Sequence, residues 1–207
     1  MYKLISSGSK GNAVIYHGTI LVDCGVPYSM LKSDVKNLKI ILLTHEHRDH
    51  INPTTLSRLM SERPTLRIGC GRWMEPFVHQ FKNVDYFDIG DMYDYGAFRL
   101  MAVKLYHDVP NCGYRIFKDD TSMFHATDTA HLEGIDAKGY DLYAIESNYN
   151  EETVNDVIMD LEARGMYAHQ RGAINSHLSE QQANDFIYKN KADHSQVLKL
   201  HVSSSFV

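Results

Sequence analysis

The sequence predicts a layered α/β or α+β domain, and three observations lead there. Short apolar runs of strand length recur from one end of the chain to the other. Helical periodicity is confined to a few segments between them. No repeat, low-complexity tract or Pro/Ser-rich linker divides the 207 residues, so one domain spanning 1–207 is expected. That length can bury a core without disulfides or a structural metal.

Taken in order, strands are expected at Lys3–Ile5, Ala13–Tyr16, Ile20–Val22 and Lys39–Leu43. The last is a continuous apolar run, the pattern of a strand covered on both faces. A helix begins at Pro53, with proline in its first turn. Thr65–Gly69 reads as a strand and Arg72–Gln80 as a short helix despite Pro76. Strands follow at Phe98–Leu105, Gly113–Phe117 and Ser122–His125, with Asp119-Asp120 as the hairpin turn between the last two. Leu142–Ile145 is a further strand. In Glu151–Arg164, Val154, Val157, Ile158 and Leu161 recur at i, i+3, i+4 and i+7, and Gly165 stops the helix. A second helix spans Ser179–Lys189, with Ser179 as N-cap and Gln182 completing a capping box. Val197–Leu200 closes the chain as a strand.

Composition narrows the function classes. Hydrophobic residues make up 43% and charged residues 23%, ordinary globular usage. The net charge of −5 offers no basic excess for nonspecific nucleic-acid binding. A metal site would itself be a local positive charge, so a phosphodiester substrate stays open. Cys24, Cys70 and Cys112 are widely spaced and include no CxxC pair, which fits buried thiols in a reducing compartment. The N-terminal MYKLISSGSKGN lacks the apolar core of a signal peptide, and the run Ile40–Leu43 is far too short to span a bilayer. A cytoplasmic protein with no membrane association is expected.

Twelve histidines are the compositional oddity, and position decides what they mean. His45-Glu46-His47-Arg48-Asp49-His50 carries four ligand types in six residues, directly after the apolar strand Lys39–Leu43. A loop at a strand end is aimed by a rigid element. Imidazole and carboxylate together suit zinc, manganese or iron. One loop cannot complete a metal site. His107, Asp128 and His201 each follow another expected strand and are the candidate partners. His125 and His131 are expected to be structural, the latter at the start of a helix, and His17, His79, His169 and His194 to lie at the surface.

H-x-H-x-D-H after an apolar strand resembles the signature of the metallo-β-lactamase fold superfamily. The run Ser7–Asn12 followed by Leu21–Gly25 resembles the opening of its YycJ/WalJ-like branch. So do His107–Tyr114, Ala126–Thr129, Glu146-Ser147-Asn148 and Ser176–Ser179. The ordered set is similar to the phosphodiesterase and nuclease side of the superfamily, which includes ribonuclease Z. One departure stands out: Tyr149 occupies the place where that branch usually has a histidine.

The resemblance implies an αββα sandwich, two mixed β-sheets flanked by helices. It implies two divalent transition-metal ions, zinc first, with manganese or iron as alternatives. His45, His47 and His107 would hold one ion; Asp49, His50 and His201 the other; Asp128 would bridge them, and Asp23 would position a ligand. The implied activity is phosphodiester hydrolysis by a hydroxide shared between the ions, with nucleic acid as substrate. Asp49 would also orient the nucleophile, and His177 would protonate the leaving group. Ser9, Lys10, Asn12, Asn148 and Tyr149 are the candidate substrate contacts. A small cyclic or nucleotide phosphodiester, a thioester or lactam, and a non-catalytic metal-binding scaffold are the alternatives.

Overall fold

The computed structural model describes residues 1–166 and 170–202, in two compact units, residues 1–93 and 94–207. The first unit carries a six-stranded sheet of β1 (Tyr2–Ser6), β2 (Ala13–Tyr16), β3 (Ile20–Val22), β4 (Ile40–Leu43), β5 (Arg67–Gly71) and β6 (Val84–Phe87), paired in chain order. β1, β2 and β3 are antiparallel neighbours; β3 through β6 run parallel. Helix α1 (Pro53–Glu62) and the short α2 (Glu75–Val78) complete the unit. The side chain of Asn52 caps α1 by accepting from the Thr55 N–H at 3.1 Å, and Pro53 sits where no amide partner is needed.

All four residues of β4 are fully buried. Ile41 and Leu43 join Leu56 and Leu59 of α1 in one apolar cluster, while Ile40 and Leu42 on the opposite face are equally buried. At roughly 1.5–3 kcal/mol for each large aliphatic side chain, this strand is among the most firmly held elements of the unit. Its C-terminal end is therefore a rigid mount.

The second unit repeats the arrangement. Its sheet contains β7 (Met92–Asp94, at the unit boundary), β8 (Arg99–Tyr106), β9 (Pro110–Lys118), β10 (Thr121–Ala126), β11 (Leu142–Glu146) and β12 (Gln196–Leu200), again in chain order. β8, β9 and β10 are antiparallel; β10, β11 and β12 run parallel. Asp119-Asp120 makes the β9–β10 turn, with Asp119 at φ +54°. Helices α3 (Val154–Ala163), α4 (Gln170–Ser176) and α5 (Glu180–Asn190) follow. Ser179 caps α5 in a complete capping box with Gln182. Phe186 and Ile187 of α5 pack with Phe124, Tyr143 and Ile145 of the sheet.

Several elements differ from expectation. β6, β7 and α4 carry too weak a periodicity to be read from sequence; α4 contains Gly172, a poor helix former, and gains its support from Ile174 packing near Val154 and Ile158. No helix begins at His131, because the chain turns at Gly134 with φ +75°. Residues 151–153 form a turn ahead of α3 rather than its first turn of helix. His169 lies outside the described residues. Among the described residues no helix is long and apolar enough to cross a membrane.

Candidate metal centre

In the first unit, the ligand-type residues gather where β3 and β4 end. His45 and His50 are fully buried, and their ring centroids lie 4.1 Å apart; His47 is 4.8 Å from His45. Asp49 Oδ2 is 3.6 Å from His50 Nε2. Asp23 directly follows β3 and adopts φ +58°, a left-handed conformation that Asp tolerates better than most residues.

The buried Asp23 carboxylate organises its neighbours. It accepts from the Thr44 N–H at 3.0 Å, from Thr44 Oγ1 at 2.9 Å and from His50 Nδ1 at 2.7 Å. Thr44 has one hydroxyl hydrogen, and it points to Asp23. Its oxygen is then the acceptor for His45 Nδ1, 3.0 Å away. Both imidazoles thus have Nδ1–H committed, which leaves the lone pair on Nε2. Metal-binding histidines are oriented in this way.

Asn12 and Gly25 lock the loop from behind. The Asn12 N–H donates to the Asp49 carbonyl at 2.6 Å, and the Gly25 N–H to the Asn12 carbonyl at 3.0 Å. The Asn12 side-chain amide reaches Asp49 and His50, and its Oδ1 accepts from the Gly8 N–H at 2.8 Å. A Cβ on Gly25 would stand 1.8 Å from the Asp49 carbonyl oxygen. Asn12 is buried, whereas Ser9 and Lys10 of the same turn are exposed.

The second unit gathers His107, Asp128, His177 and His201 with Glu146 and Asn148. Asp128 and His201, each directly beyond or within two residues of a strand end, take φ +55° and +49°. Left-handed non-glycine residues cluster at functional sites, where surrounding contacts hold them. His107 Nε2 is 3.9 Å from Asp128 Oδ2, and His201 Nδ1 is 3.5 Å from Asp128 Oδ1. The Ser176 carbonyl accepts from His107 Nδ1 at 2.9 Å, which turns Nε2 toward Asp128 and toward Asp108 Oδ1, 3.0 Å away. Asp128, Glu146, His177 and His201 each offer a ligand atom, all within 4.8 Å of one another, a donor set suited to a divalent cation.

Glu146 is the member of this cluster that sequence reasoning missed. It closes β11 with no exposure to solvent. One oxygen accepts from His177 Nδ1 at 2.5 Å and His201 Nδ1 at 3.1 Å. The other accepts from the Thr129 N–H at 3.0 Å and the Leu178 N–H at 3.2 Å. Burial pushes its carboxyl pKa up, but the bonds from His177 and His201 outweigh that and hold it below the ordinary value. Burial likewise pulls His177 and His201 down, yet the Glu146 and Asp128 carboxylates raise both. For His107 burial wins over Asp128, and its pKa is lowered. The sequence signal was the Glu-Ser-Asn motif at a strand end, in which only Asn148 drew attention.

Asn148 is buried and donates to the His201 carbonyl at 3.3 Å. Tyr149 is buried as well, in a cluster with Val154 and Ile158, and its backbone bridges Ser179. Of the five residues expected to touch substrate, only Ser9 and Lys10 are exposed. His125 is buried in β10, His131 stacks on Tyr106, and His79 and His194 lie at the surface.

Known proteins share this plan. The model of the beta-lactamase superfamily domain matches residues 19–179, across both units. Exodeoxyribonuclease WalJ of Streptococcus pneumoniae is 28% identical over 173 residues, 73% of this chain and 63% of that protein, so the match spans less than two thirds of its length. The metallo-beta-lactamase fold protein YhfI of Bacillus subtilis has a TM-score of 0.75 at 18% identity, covering 97% of this chain and 85% of that one. Human tRNase Z, short form, has a TM-score of 0.70 at 16% identity, covering 98% and 93%. These likenesses show the fold expected from the sequence, and the chain belongs to the beta-lactamase superfamily.

Proposed function

We propose that this chain is a metal-dependent phosphodiesterase of the nuclease type. The observation that carries it is the shared orientation of the histidines. His45, His50 and His107 each have Nδ1 against a hydroxyl, carboxylate or carbonyl, which turns Nε2 away from those partners. Three imidazoles set alike, with His47, His201, Asp49 and Asp128 as further donors, suit divalent cations.

His45, His47 and His107 would hold one ion, Asp49, His50 and His201 a second, and Asp128 would serve both; zinc suits these donors, with manganese or iron as substitutes. When bound, two such ions supply an acidified water and neutralise charge on the phosphoryl oxygens. Asp49 orients the attacking water by accepting its hydrogen bond. His177, held by Glu146 and with its pKa raised, carries the proton that the leaving alkoxide needs. Asp23 acts through His50 and Thr44, keeping the ligand tautomers fixed. The superfamily model crossing both units supports their working as one catalytic domain, and the nucleases among the relatives support nucleic acid as substrate.

The test is metal analysis of the purified protein with parallel assays on bis-p-nitrophenyl phosphate, cyclic nucleotides, linear DNA, RNA and a thioester. About two transition-metal ions per chain are expected, with phosphodiester turnover lost in Asp49→Ala and His45→Ala. Full activity in metal-free protein would overturn the proposal, and activity confined to the thioester would replace the phosphodiester by an acyl substrate.

A further inference from the structure

Tyr106 ends β8 immediately before His107, and it is 40% exposed. Its ring is not a loose surface group. One side stacks on the His131 imidazole, centroids 4.2 Å apart and planes 24° from parallel. Lys104 Nζ stands over the ring, 5.0 Å from its centroid. The backbone is equally fixed: the Tyr106 N–H donates to Thr129 Oγ1 at 3.0 Å, and the Ala130 N–H donates to the Tyr106 carbonyl at 2.7 Å. Thr129 Oγ1 in turn donates to the His131 carbonyl at 2.9 Å, and its N–H donates to Glu146. The aromatic pair is thereby bolted to the strand end that bears His107 and to the loop that bears Asp128.

A rigid, backed aromatic surface with an adjacent ammonium is what an unpaired nucleotide needs: a π-face for the base and a cation for its phosphate. The chain has a net charge of −5, so a polyanionic substrate must find its positive charge locally. Lys104 supplies one such charge. Its exposed side chain can leave the ring face for a phosphate without disturbing the Tyr106–His131 stack.

We propose that Tyr106, backed by His131 and flanked by Lys104, is a stacking platform for an unpaired nucleobase next to the phosphodiester that is cleaved. This deepens the phosphodiesterase assignment and rests on it. The substrate class becomes a single-stranded nucleic acid, or a duplex end whose last base is free to unstack.

The experiment measures binding of the metal-loaded full chain to fluorescent oligothymidylate, to the same strand made abasic throughout, and to oligouridylate, by anisotropy across a salt series. Wild type should hold the base-bearing strands roughly five- to a hundredfold more tightly than the abasic one. Tyr106→Ala should collapse that ratio toward one while Tyr106→Phe keeps it. Lys104→Gln should weaken all strands alike and lower the slope of log affinity against log salt by about 0.7. Comparing the thymidylate and uridylate arms tells whether the platform serves DNA or RNA. Melting temperature and metal content, read on each variant, should match wild type, since Tyr106 is largely outside the core. An undiminished ratio in Tyr106→Ala, or no base preference in wild type that still turns over phosphodiesters, overturns the platform alone. Wild type that neither binds a strand nor cleaves any phosphodiester overturns the enzymatic assignment with it.

Discussion

Gly25→Ala adds a single methyl group behind the histidine-rich loop that follows β4. Gly25 has no positive φ, so the glycine is required for space and not for backbone freedom. The new Cβ would lie 1.8 Å from the Asp49 carbonyl oxygen, 2.2 Å from its carbon and 2.7 Å from the His50 nitrogen. All three are backbone atoms, so no side chain can swing aside. Reaching even a 3.0 Å contact requires the loop to retreat by about 1.2 Å. That retreat pulls on the bonds from Asn12 N–H to the Asp49 carbonyl (2.6 Å) and from Cys24 N–H to the His50 carbonyl (2.9 Å). Overpacking costs about 1–3 kcal/mol and each lost bond about 1 kcal/mol, together roughly 3–5 kcal/mol. For a chain of this size that is a fall in Tm of roughly 10 °C. Thermal unfolding in chelator reads the structural cost, and metal titration reads the displacement of His50 and Asp49. A Gly25→Ala protein that melts within about 2 °C of wild type and binds metal with unchanged affinity refutes this account.

Other consequences follow from the same geometry. Glu146→Gln leaves one acceptor for four donors and should cost roughly 3–5 kcal/mol, read by denaturant unfolding; a loss under about 1 kcal/mol would contradict the hub role. Its pH dependence has a definite sign. Because His177 and His201 are raised, their contribution in chelator is complete below the ordinary histidine value and is lost as pH rises through the folded-state values, and Glu146→Gln should flatten that decline. Burial pushes the Cys24 and Cys70 thiols up to about 12, with the Asp23 charge adding to the first and Asp85 to the second. With Cys112 also buried, the native protein at pH 8 should resist a thiol reagent that titrates all three after denaturation, and fast native reaction of any one contradicts this. Gly172→Ala meets no atom within 4 Å on an exposed helix and should stabilise the protein by about 0.5–1 kcal/mol; destabilisation would show that α4 does not need helix propensity there.

The amino-acid sequence by itself marked the candidate ligands and determined most of the strands. An apolar run that breaks abruptly into His-x-His-x-Asp-His marks both the end of β4 and the donors it carries, and the same transition marks His107, Asp128 and His201. Such signals are local: side-chain type and short-range periodicity within one element. Tertiary structure decided what those donors do. The tautomers depend on Thr44 turning its one hydrogen to Asp23, and the His177–His201 pair depends on Glu146, which is 31 and 55 residues away from them. The requirement at Gly25 comes from a backbone segment some two dozen residues downstream. Hydrogen bonds and close packing between distant segments leave no periodic trace in a single chain. That is why Asn12 and Asn148, expected at the substrate, proved to be buried in the supports of the ligands, and why Tyr149 proved to sit in an apolar cluster.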